Sequence, residues 1–374
     1  MTKLSVAIVG AGIGGLAAAA CLRRVGVDVT VYEQAQRFKR LGAGIQQSPN
    51  AVRVLRALGL EARLRELAFQ PAAALNRQSD TGELLWERAM GAASEERYGA
   101  PYLVLHRGDL HAVLASAVPD EIIQRGRKLV GLAQTGSTVR LDFADGSPAE
   151  ADAVIGADGV HSVVRETLFG AERPAFTGRV AYRTVFPAAL LKGTAIDDQA
   201  KWWGPDRHIV IYYVNPQRSE VYFVTSTPEP DFTQESWSTT GDMAMLREAY
   251  RDFHPTVRGV LDAAPSAHKW ALVVRDPLPS WTEGNIALLG DACHPMTPYM
   301  AQGAGTSIED AAVLSRCLEG VEPDGVAAAF RRYEATRKPR TSEIQALSRA
   351  NDMNRFKAAN ELVYGYDAWT TPLG

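Results

Sequence analysis

Apolar and polar positions along the first 33 residues follow the order strand, helix, strand. Residues 4–9 form an apolar run, and residues 15–25 have the apolar spacing of a buried helix. From 27 to 33, valines alternate with Asp, Thr and Tyr, as expected for a half-buried strand. Gly26 separates the helix from the second strand. The pattern therefore predicts a β-α-β unit with two parallel strands.

The pattern changes near residue 177, where short strand-like segments rich in aromatic residues begin to dominate. Their composition and close spacing predict an antiparallel sheet. These segments are 180–186, 208–214 and 220–225. Near residue 270 we expect the helical pattern to return, together with an apolar strand at 285–289. Residues 328 to about 357 have a largely helical pattern.

Shorter signals complete the predicted fold. We expect a helix after Pro49, a second helix at 105–117, a strand with a tight turn at 139–146, and a buried strand at 153–156. These elements fit an α/β (α+β) fold in which an antiparallel-sheet domain interrupts a Rossmann-like domain and helices follow at the C-terminus. The expected parts are 1–72, 99–175 and 277–340 for the first domain, 73–98 and 176–276 for the second, and 341–374 for the helical segment.

The composition is that of an ordinary globular protein, with 374 residues, of which 46% are hydrophobic and 22% charged. A net charge of −3 with interspersed signs gives no reason to expect nucleic acid or an anionic membrane as a partner. The cysteines, Cys21, Cys293 and Cys317, lack metal-ligand spacing. Because there is also no secretory signal, we expect a cytoplasmic protein without a metal site. The sequence is compatible with a monomer and with a homodimer.

A glycine-rich loop, with Gly10, Gly12 and Gly15, joins the first strand to the first helix. Gly10 allows a tight turn, Gly12 lets a pyrophosphate approach the backbone, and Gly15 lets the helix pack on the strand. The helix N-terminus then directs free N–H groups toward the phosphates. Glu33, at the end of the second strand, can accept hydrogen bonds from both ribose hydroxyls and would repel a 2′-phosphate. The unit therefore predicts FAD or NAD rather than NADP.

Later motifs help to distinguish FAD from NAD. Asp291 follows an apolar strand and a glycine, where its carboxylate can contact a polyol such as the ribityl chain of FAD. A glycine-rich turn then opens a helix, whose free N–H groups at Gly303 and Ala304 can stabilise negative charge on a reduced flavin. Further upstream, the buried strand at 153–156 leads directly into Asp158 and Gly159. The order of these motifs favours FAD.

These segments resemble the fingerprints of the single-component (group A) FAD-dependent aromatic hydroxylases. The resemblance spans nearly the whole chain; the matching stretches are 10–15, 40–46, 106–110, 157–165 and 290–295. It implies a fold like that of para-hydroxybenzoate hydroxylase, bound FAD, and NAD(P)H and O2 as co-substrates. It also implies that a C4a-hydroperoxyflavin hydroxylates a flat aromatic ring that carries a hydroxyl or amino group.

The resemblance further implies roles for individual residues in the matching stretches. Arg107 corresponds to an arginine that binds FAD beside the pyrophosphate, and Arg40 lies in the segment that contacts the AMP half. The pair Asp158-Gly159 resembles the one that helps to hold FAD and the nicotinamide cofactor. Asp291 is similar to the ribityl-binding aspartate, and Pro295 resembles the proline at the flavin face, where hydride and oxygen react. For Arg40, a purely structural role is an equal alternative.

The substrate is expected to bind against the predicted antiparallel sheet. His208 and Tyr212 lie four residues apart on one strand, so their side chains share a face. We expect one of them to bind the ring hydroxyl and help to remove its proton, with Trp203 close by. Alternatively, both are ordinary residues of the sheet core.

Within the family, three stretches resemble the members that hydroxylate 6-hydroxynicotinate with loss of its carboxylate; these are 201–213, 290–296 and 363–367. Gln46 and Tyr299 depart from that pattern, because a histidine is expected at each position. Both are candidate substrate-binding residues. The context of Gln46 also resembles salicylate and 3-hydroxybenzoate hydroxylases, which leaves the substrate open. A NAD-dependent dehydrogenase or a non-catalytic flavin-binding protein would share part of the motif set.

Overall fold

The fold of this chain is a mixed α/β arrangement, seen in a computed structural model that describes residues 3–38, 40, 43–232 and 239–374. The strands are β1 (Ser5–Val9), β2 (Asp28–Glu33), β3 (Gly44–Gln47), β4 (Ala73–Gln78), β5 (Leu84–Ala89), β6 (Leu103–His106), β7 (Ile123–Arg125), β8 (Leu129–Thr135), β9 (Thr138–Phe143), β10 (Pro148–Ala151), β11 (Ala153–Gly156), β12 (Ala175–Pro187), β13 (Gln199–Trp203), β14 (His208–Tyr213), β15 (Glu220–Pro228), β16 (His268–Val274), β17 (Thr282–Glu283) and β18 (Ile286–Leu288). The helices are α1 (Ile13–Arg24), α2 (Pro49–Ala57), α3 (Glu61–Leu67), α4 (Gly91–Tyr98), α5 (Arg107–Ser116), α6 (Val163–Phe169), α7 (Met243–Ala249), α8 (Pro255–Ala263), α9 (Gly303–Leu318), α10 (Val326–Ala350), α11 (Met353–Ala358) and α12 (Asn360–Tyr364).

The predicted β-α-β unit is the centre of one sheet. Among the described residues, this sheet has six strands in the order β17-β18-β11-β1-β2-β7, and all neighbouring pairs are parallel except β17 with β18. α1 packs against α9, and its buried face includes four consecutive small residues, Ala17 to Ala20. The strands of a parallel sheet are buried because helices pack against them. This burial accounts for the nearly continuous apolar runs in the sequence.

The predicted antiparallel sheet is also present. In the described part of the chain it has seven strands in the order β16-β12-β15-β14-β13-β4-β5, with β13 and β4 the parallel pair. Alternate residues of β14, Ile209 and Ile211, pack into a core with Leu246, Tyr250 and Val257 from α7, its C-cap and α8. Because side chains alternate across a strand, the opposite face of the same strands is free to border a cavity.

One sequence expectation is wrong. Residues 268–274 form the edge strand β16 rather than helix, and they pair with β12. Their run of Trp270, Leu272 and Val274 on one face alternates with residues on the other, which is the period of a strand. The predicted helical stretch from 328 is confirmed by α10 and α11. Among the residues described, no helix is both long and apolar enough to cross a lipid bilayer.

Candidate functional site

The glycine-rich loop between β1 and α1 is shaped by close contacts and by open space. Gly10 has a φ of +102°, and a Cβ there would lie 2.5 Å from the carbonyl oxygen of Ala157. A Cβ at Gly15 would overlap the carbonyl oxygen of Gly10. A Cβ at Gly12, in contrast, would meet no protein atom within 4 Å. Gly10 and Gly15 are therefore required by packing, whereas Gly12 borders a space in which a phosphate can approach the backbone.

Glu33 lies beside this loop, at the end of β2. Its Oε2 accepts a hydrogen bond from the Ala11 N–H at 2.9 Å, and its Oε1 accepts one from the Ala35 N–H at 2.8 Å. The two bonds fix the carboxylate, and each oxygen keeps a further lone pair for a ribose hydroxyl. The geometry fits the adenosine end of a dinucleotide.

Arg107 and Asp291 line a concave cleft. Both side chains are exposed to solvent, yet the surrounding protein lowers the pKa of Arg107 and raises the pKa of Asp291, because it desolvates both groups. The negative charge of Asp291 raises the pKa of Arg107, and the positive charge of Arg107 lowers the pKa of Asp291, so each partly offsets the effect of desolvation on the other. Accessible groups with strong desolvation are expected in a cleft rather than on an outer surface. The two residues therefore fit the pyrophosphate and ribityl contacts expected for FAD.

The N-terminus of α9 is next to this carboxylate. A Cβ built on Gly303 would lie 3.7 Å from the Asp291 Oδ1. The first N–H groups of a helix have no partner within the helix, and those of Gly303 and Ala304 stand at the first two positions. Asp291 and the start of α9 are thus close together, and the contacts of Asp291, Gly303 and Ala304 with FAD stay predictions. The residues present fit FAD, since the cleft offers donors for phosphate and flavin oxygens and acceptors for hydroxyls.

A cavity of about 180 Å³ adjoins Asp291 and Pro295. Two further lining residues come from the seven-stranded sheet: Arg183 from β12 and Trp270 from β16, whose ring lies 3.6 Å below the guanidinium carbon. Sequence reasoning missed both. Trp270 lies on β16, which was not expected to be a strand, whereas Arg183 lies on an expected strand whose cavity-facing side chains the sequence did not identify. Pro295 lines this cavity together with Asp291, and its place at the flavin face stays a prediction.

Two predicted cofactor residues have their polar groups engaged within the chain. The Asp158 carboxylate accepts hydrogen bonds from the Ser162 Oγ at 2.5 Å and from the Val163 N–H at 2.8 Å, at the start of α6. Arg40 pairs with Asp109 at 2.9 Å and with Glu220 at 3.1 Å. Their contacts with FAD stay predictions.

Other parts of the same motifs are less constrained. Gly159 has a φ of +79° and borders open space. Leu41 and Gly42, which belong to the matching stretch at 40–46, lie outside the described residues.

A second cavity, of about 130 Å³, lies against the seven-stranded sheet. Its size is that of one small ring, since a cavity of about 150 Å³ holds benzene in another protein. Side chains alternate along β13 and β14, so one set faces the cavity side of the sheet and the other set faces the core. The set on the cavity side is Gln199, Lys201, Trp203, His208, Val210 and Tyr212. The cavity is lined by residues from distant parts of the chain, including Gln46, Arg88, Tyr102, Gln199, Lys201, His208, Tyr299, Gln302 and Tyr364. We call it the ring cavity.

His208 and Tyr299 face each other at one end of the ring cavity. Their ring centroids are 5.2 Å apart in an edge-on arrangement, and the Tyr299 hydroxyl is 2.9 Å from the Ser226 Oγ. Burial holds the pKa of His208 well below its usual value, and the positive charges of Lys201 and Arg179 add to the shift. The imidazole is therefore neutral near pH 7, and its unprotonated nitrogen can accept a hydrogen bond.

Gln46 is held by hydrogen bonds at another wall of the ring cavity. Its Oε1 accepts hydrogen bonds from the Tyr102 hydroxyl and, at 3.2 Å, from the Gln199 Nε2. Because the amide oxygen is bound twice, the amide nitrogen remains as the donor of this side chain, which also hydrogen-bonds Tyr212. Gln46 therefore presents a hydrogen-bond donor.

Tyr212 does not border either cavity in the described part of the chain. Its hydroxyl is packed against Gly44, 2.7 Å from a Cβ built there, and burial keeps the pKa of Tyr212 well above its usual value. The Trp203 indole N–H donates to the Asn76 Oδ1 at 2.8 Å. Contact of Tyr212 or Trp203 with a substrate stays a prediction.

Several residues of the ring cavity escaped sequence reasoning, among them the polar side chains of Arg88, Tyr102, Gln199 and Lys201. They come from β5, from the residue before β6, and from β13. The signal that could have found two of them is the period of two in β13, which turns Gln199 and Lys201 to the same face as Trp203.

Comparison with known proteins identifies the relatives of this chain. Residues 3–348 match the family described as FAD binding domain. A 6-hydroxynicotinate 3-monooxygenase from Bordetella bronchiseptica is 44% identical over 373 residues, covering 99% of this chain and 97% of the relative.

Two solved structures are similar throughout. A salicylate hydroxylase substrate complex has a TM-score of 0.85 at 25% identity, covering 98% of this chain and 96% of the other. HpxO of Klebsiella pneumoniae, complexed with FAD and uric acid, has a TM-score of 0.83 at 25% identity, covering 97% and 93%. The predicted fold class and the predicted FAD cofactor are confirmed.

Proposed function

The chain belongs to the FAD binding domain family, and on this premise we propose that it is an FAD-dependent aromatic monooxygenase. It uses NAD(P)H and O2 to hydroxylate a small hydroxylated aromatic or pyridine carboxylate. The observation that carries the proposal is the ring cavity, which is the size of one ring and meets the N-cap of α9 at Gln302, one residue before the predicted flavin-binding N–H groups.

Particular residues would hold FAD. Glu33 binds the adenosine ribose, Arg107 the pyrophosphate and Asp291 the ribityl chain, and the Gly303 and Ala304 N–H groups face the flavin. When bound, FAD supplies the redox chemistry with NAD(P)H and O2. Since the negative charge of a reduced flavin is favoured by a helix N-terminus, α9 supports that chemistry electrostatically.

The ring cavity supplies position and proton transfer. The neutral His208 imidazole accepts the proton of the ring hydroxyl, which makes the ring more electron-rich and therefore more reactive toward an electrophile. Tyr299, across from it, holds the second edge of the ring, and Gln46 donates to a substituent. Aromatic walls such as Tyr102 and Tyr364 exclude water from the reacting face.

The first substrate candidate is 6-hydroxynicotinate, since the relative at 44% identity is named for it. Salicylate and 3-hydroxybenzoate are the second, because Gln46 and Tyr299 stand where histidines are expected of a 6-hydroxynicotinate enzyme. An amide and a phenol hydrogen-bond different ring substituents from those that two imidazoles would bind.

The proposal also includes a division into two domains and a location in the cell. The division into a cofactor domain (1–72, 99–175 and 277–340) and a substrate domain (73–98 and 176–276) is supported by the membership of strands in the two large sheets. A cytoplasmic location is supported by three cysteines that are free.

The test is a spectrum followed by turnover. Purified protein should be yellow and release FAD on denaturation, and NADH or NADPH oxidation should rise with one member of a panel of hydroxybenzoates and hydroxypyridine carboxylates. The product must be identified, because peroxide release without a hydroxylated product is uncoupled oxidation. FAD-loaded protein that hydroxylates no member of the panel would contradict the proposal, and so would protein that cannot be loaded with FAD.

A further inference from the structure

We propose that Lys201 binds the carboxylate of the substrate and thereby selects anionic rings and sets their orientation in the ring cavity. The proposal rests on the proposed function and deepens it, because it assigns a specificity-determining residue that motif comparison does not single out.

The position of Lys201 follows from strand geometry. It lies in the middle of β13, opposite Val210 of β14, on the face that borders the ring cavity. Its ammonium is 3.7 Å from the Trp203 ring centroid and 3.5 Å from the Asn351 Oδ1. The aromatic ring and the amide oxygen hold the ammonium at the cavity wall, where a ligand can reach it.

The charges around the ring cavity have one sign. Lys201 and Arg88 both line it, and none of the lining residues that the structure describes is Asp or Glu. An anionic ligand is therefore favoured and a cationic one disfavoured. Burial also holds the pKa of Lys201 well below its usual value, and a bound carboxylate would oppose that shift.

Lys201 is the better placed of the two cations. The Arg88 guanidinium donates to the Asn360 Oδ1 at 2.7 Å and stacks over the Tyr364 ring, at 4.9 Å, so both cations are held by an amide oxygen and an aromatic ring. They differ in position, because Arg88 lies on the edge strand β5, whereas Lys201 lies on β13, two strands farther into the same sheet. An ammonium on a flexible stem can move toward a carboxylate.

The distance from Lys201 to the proton acceptor fits one substituted ring. His208 pairs with Trp203, two residues along β13 from Lys201. Two residues of a strand cover about 7 Å. A carboxylate at Lys201 therefore leaves a ring hydroxyl within reach of His208, whose neutral imidazole accepts its proton.

The experiment compares carboxylate ligands with neutral analogues of the same ring in wild type, Lys201→Met and Lys201→Arg. Dissociation constants are measured on FAD-loaded protein by calorimetry for nicotinate against nicotinamide and for 3-hydroxybenzoate against phenol. Lys128→Met, at an exposed lysine outside both cavities, is the matched control. FAD content is measured for every variant.

We expect Lys201→Met to weaken carboxylate binding about 10- to 100-fold, the range for a charge-assisted hydrogen bond, and to change neutral analogues little. Lys201→Arg should recover part of the loss, and Lys128→Met should match wild type. An unchanged ratio of carboxylate to neutral affinity in Lys201→Met overturns the proposal.

A wild-type measurement keeps the test decisive if Lys201→Met does not fold. Equal affinity of wild type for nicotinate and nicotinamide, and for 3-hydroxybenzoate and phenol, overturns the proposal without any variant. Because these readouts need no turnover, they are independent of the proposed function. Failure of the proposed function would instead appear as absent product with ligand binding intact.

Discussion

Two buried regions of the molecule handle charge in opposite ways. Beneath the N-terminal half of α9, four charged side chains pair with one another, and a histidine completes the group. We call this the α9–α10 charge cluster; its members are Glu309, Asp310, Arg337, Arg340 and His294. In the ring cavity, cations stand without carboxylates among the described lining residues.

In the α9–α10 charge cluster, the charged side chains are paired with one another. Arg337 bonds both Glu309 and Asp310 at 2.7 Å, Arg340 bonds Glu309 at 2.8 Å, and the His294 Nε2 is 2.6 Å from Asp310. These neighbours hold the pKa of Asp310 and Glu309 below their usual values in spite of burial, which acts in the other direction. The cluster ties α10 to the helix whose N-terminus faces the flavin site.

The two regions show that a buried charge can serve either stability or ligand binding. Where each charge meets its opposite, the arrangement fixes one conformation and leaves nothing for a ligand. Where charges of one sign line a cavity, the opposite charge must come from solvent or from a substrate. The first region should therefore respond to substitution through stability, and the second through binding.

The largest effect is expected for Arg337→Met. It leaves Glu309 and Asp310 buried with fewer partners, so the free energy of unfolding should fall by about 3–5 kcal/mol. Denaturant unfolding of FAD-loaded protein measures it. Arg331→Met, at an exposed position on the same helix, is the control and should stay within about 0.5 kcal/mol of wild type. Equal stability of the two variants would mean that the cluster is not structural.

Lys201→Met should behave in the opposite way. Removing a buried charge from a cavity without carboxylates should leave the free energy of unfolding within about 1 kcal/mol of wild type or raise it. A carboxylate ligand at 100 times its dissociation constant should stabilise wild type by about 2.7 kcal/mol and, at the same concentration, stabilise the variant much less. A loss of several kcal/mol in the free variant would instead assign Lys201 to structure.

A third expectation concerns pH and His208. Its pKa is lowered in the folded protein, while an unfolded histidine titrates near 6.5, so the unfolded state binds more protons as the pH falls below about 6.5. Stability contributed by the neutral imidazole is thus present above that pH and lost below it. Between pH 7 and pH 5, the loss of unfolding free energy should be about 1–2 kcal/mol smaller in His208→Gln than in wild type. Parallel curves for the two proteins would show that His208 has the same pKa in the folded and unfolded states.

The smallest effect is expected for Tyr212→Phe. Since the Tyr212 hydroxyl is packed against Gly44 behind Gln46, its removal should change KM or peroxide release by no more than about threefold, within about 1 kcal/mol. Tyr299→Phe removes a hydroxyl that lines the ring cavity and should raise peroxide release more. Steady-state oxygen and NAD(P)H consumption distinguish the two. A larger effect at Tyr212 would restore it as a substrate contact.

The cofactor cleft was largely predictable because its determinants are local. Gly10, Gly12 and Gly15 act through backbone conformation and close approach within a few residues, and Glu33 follows at the end of the next strand. Asp291 and Gly303 needed only the expectation that both surround one cofactor. Such a motif can be recognised in the sequence because its residues lie close together along the chain.

The ring cavity was predictable only in part. His208, Gln46 and Tyr299 were expected near the substrate, whereas Lys201, Arg88 and Gln199 were not. Their strands have short patterns, and nothing in those patterns says that β13 pairs in parallel with β4 or that β16 is an edge strand.

The sequence by itself determined the cofactor loop, the order of elements and the class of chemistry, because each depends on neighbouring residues or on motif spacing. The tertiary structure alone decided which side chains share the ring cavity and that its described lining includes Lys201 and Arg88 but no carboxylate. The physical reason is strand register: a shift of one residue turns every side chain of a strand to the other face. Lys201 lines the cavity only because β13 pairs with β14 in the register that matches it with Val210.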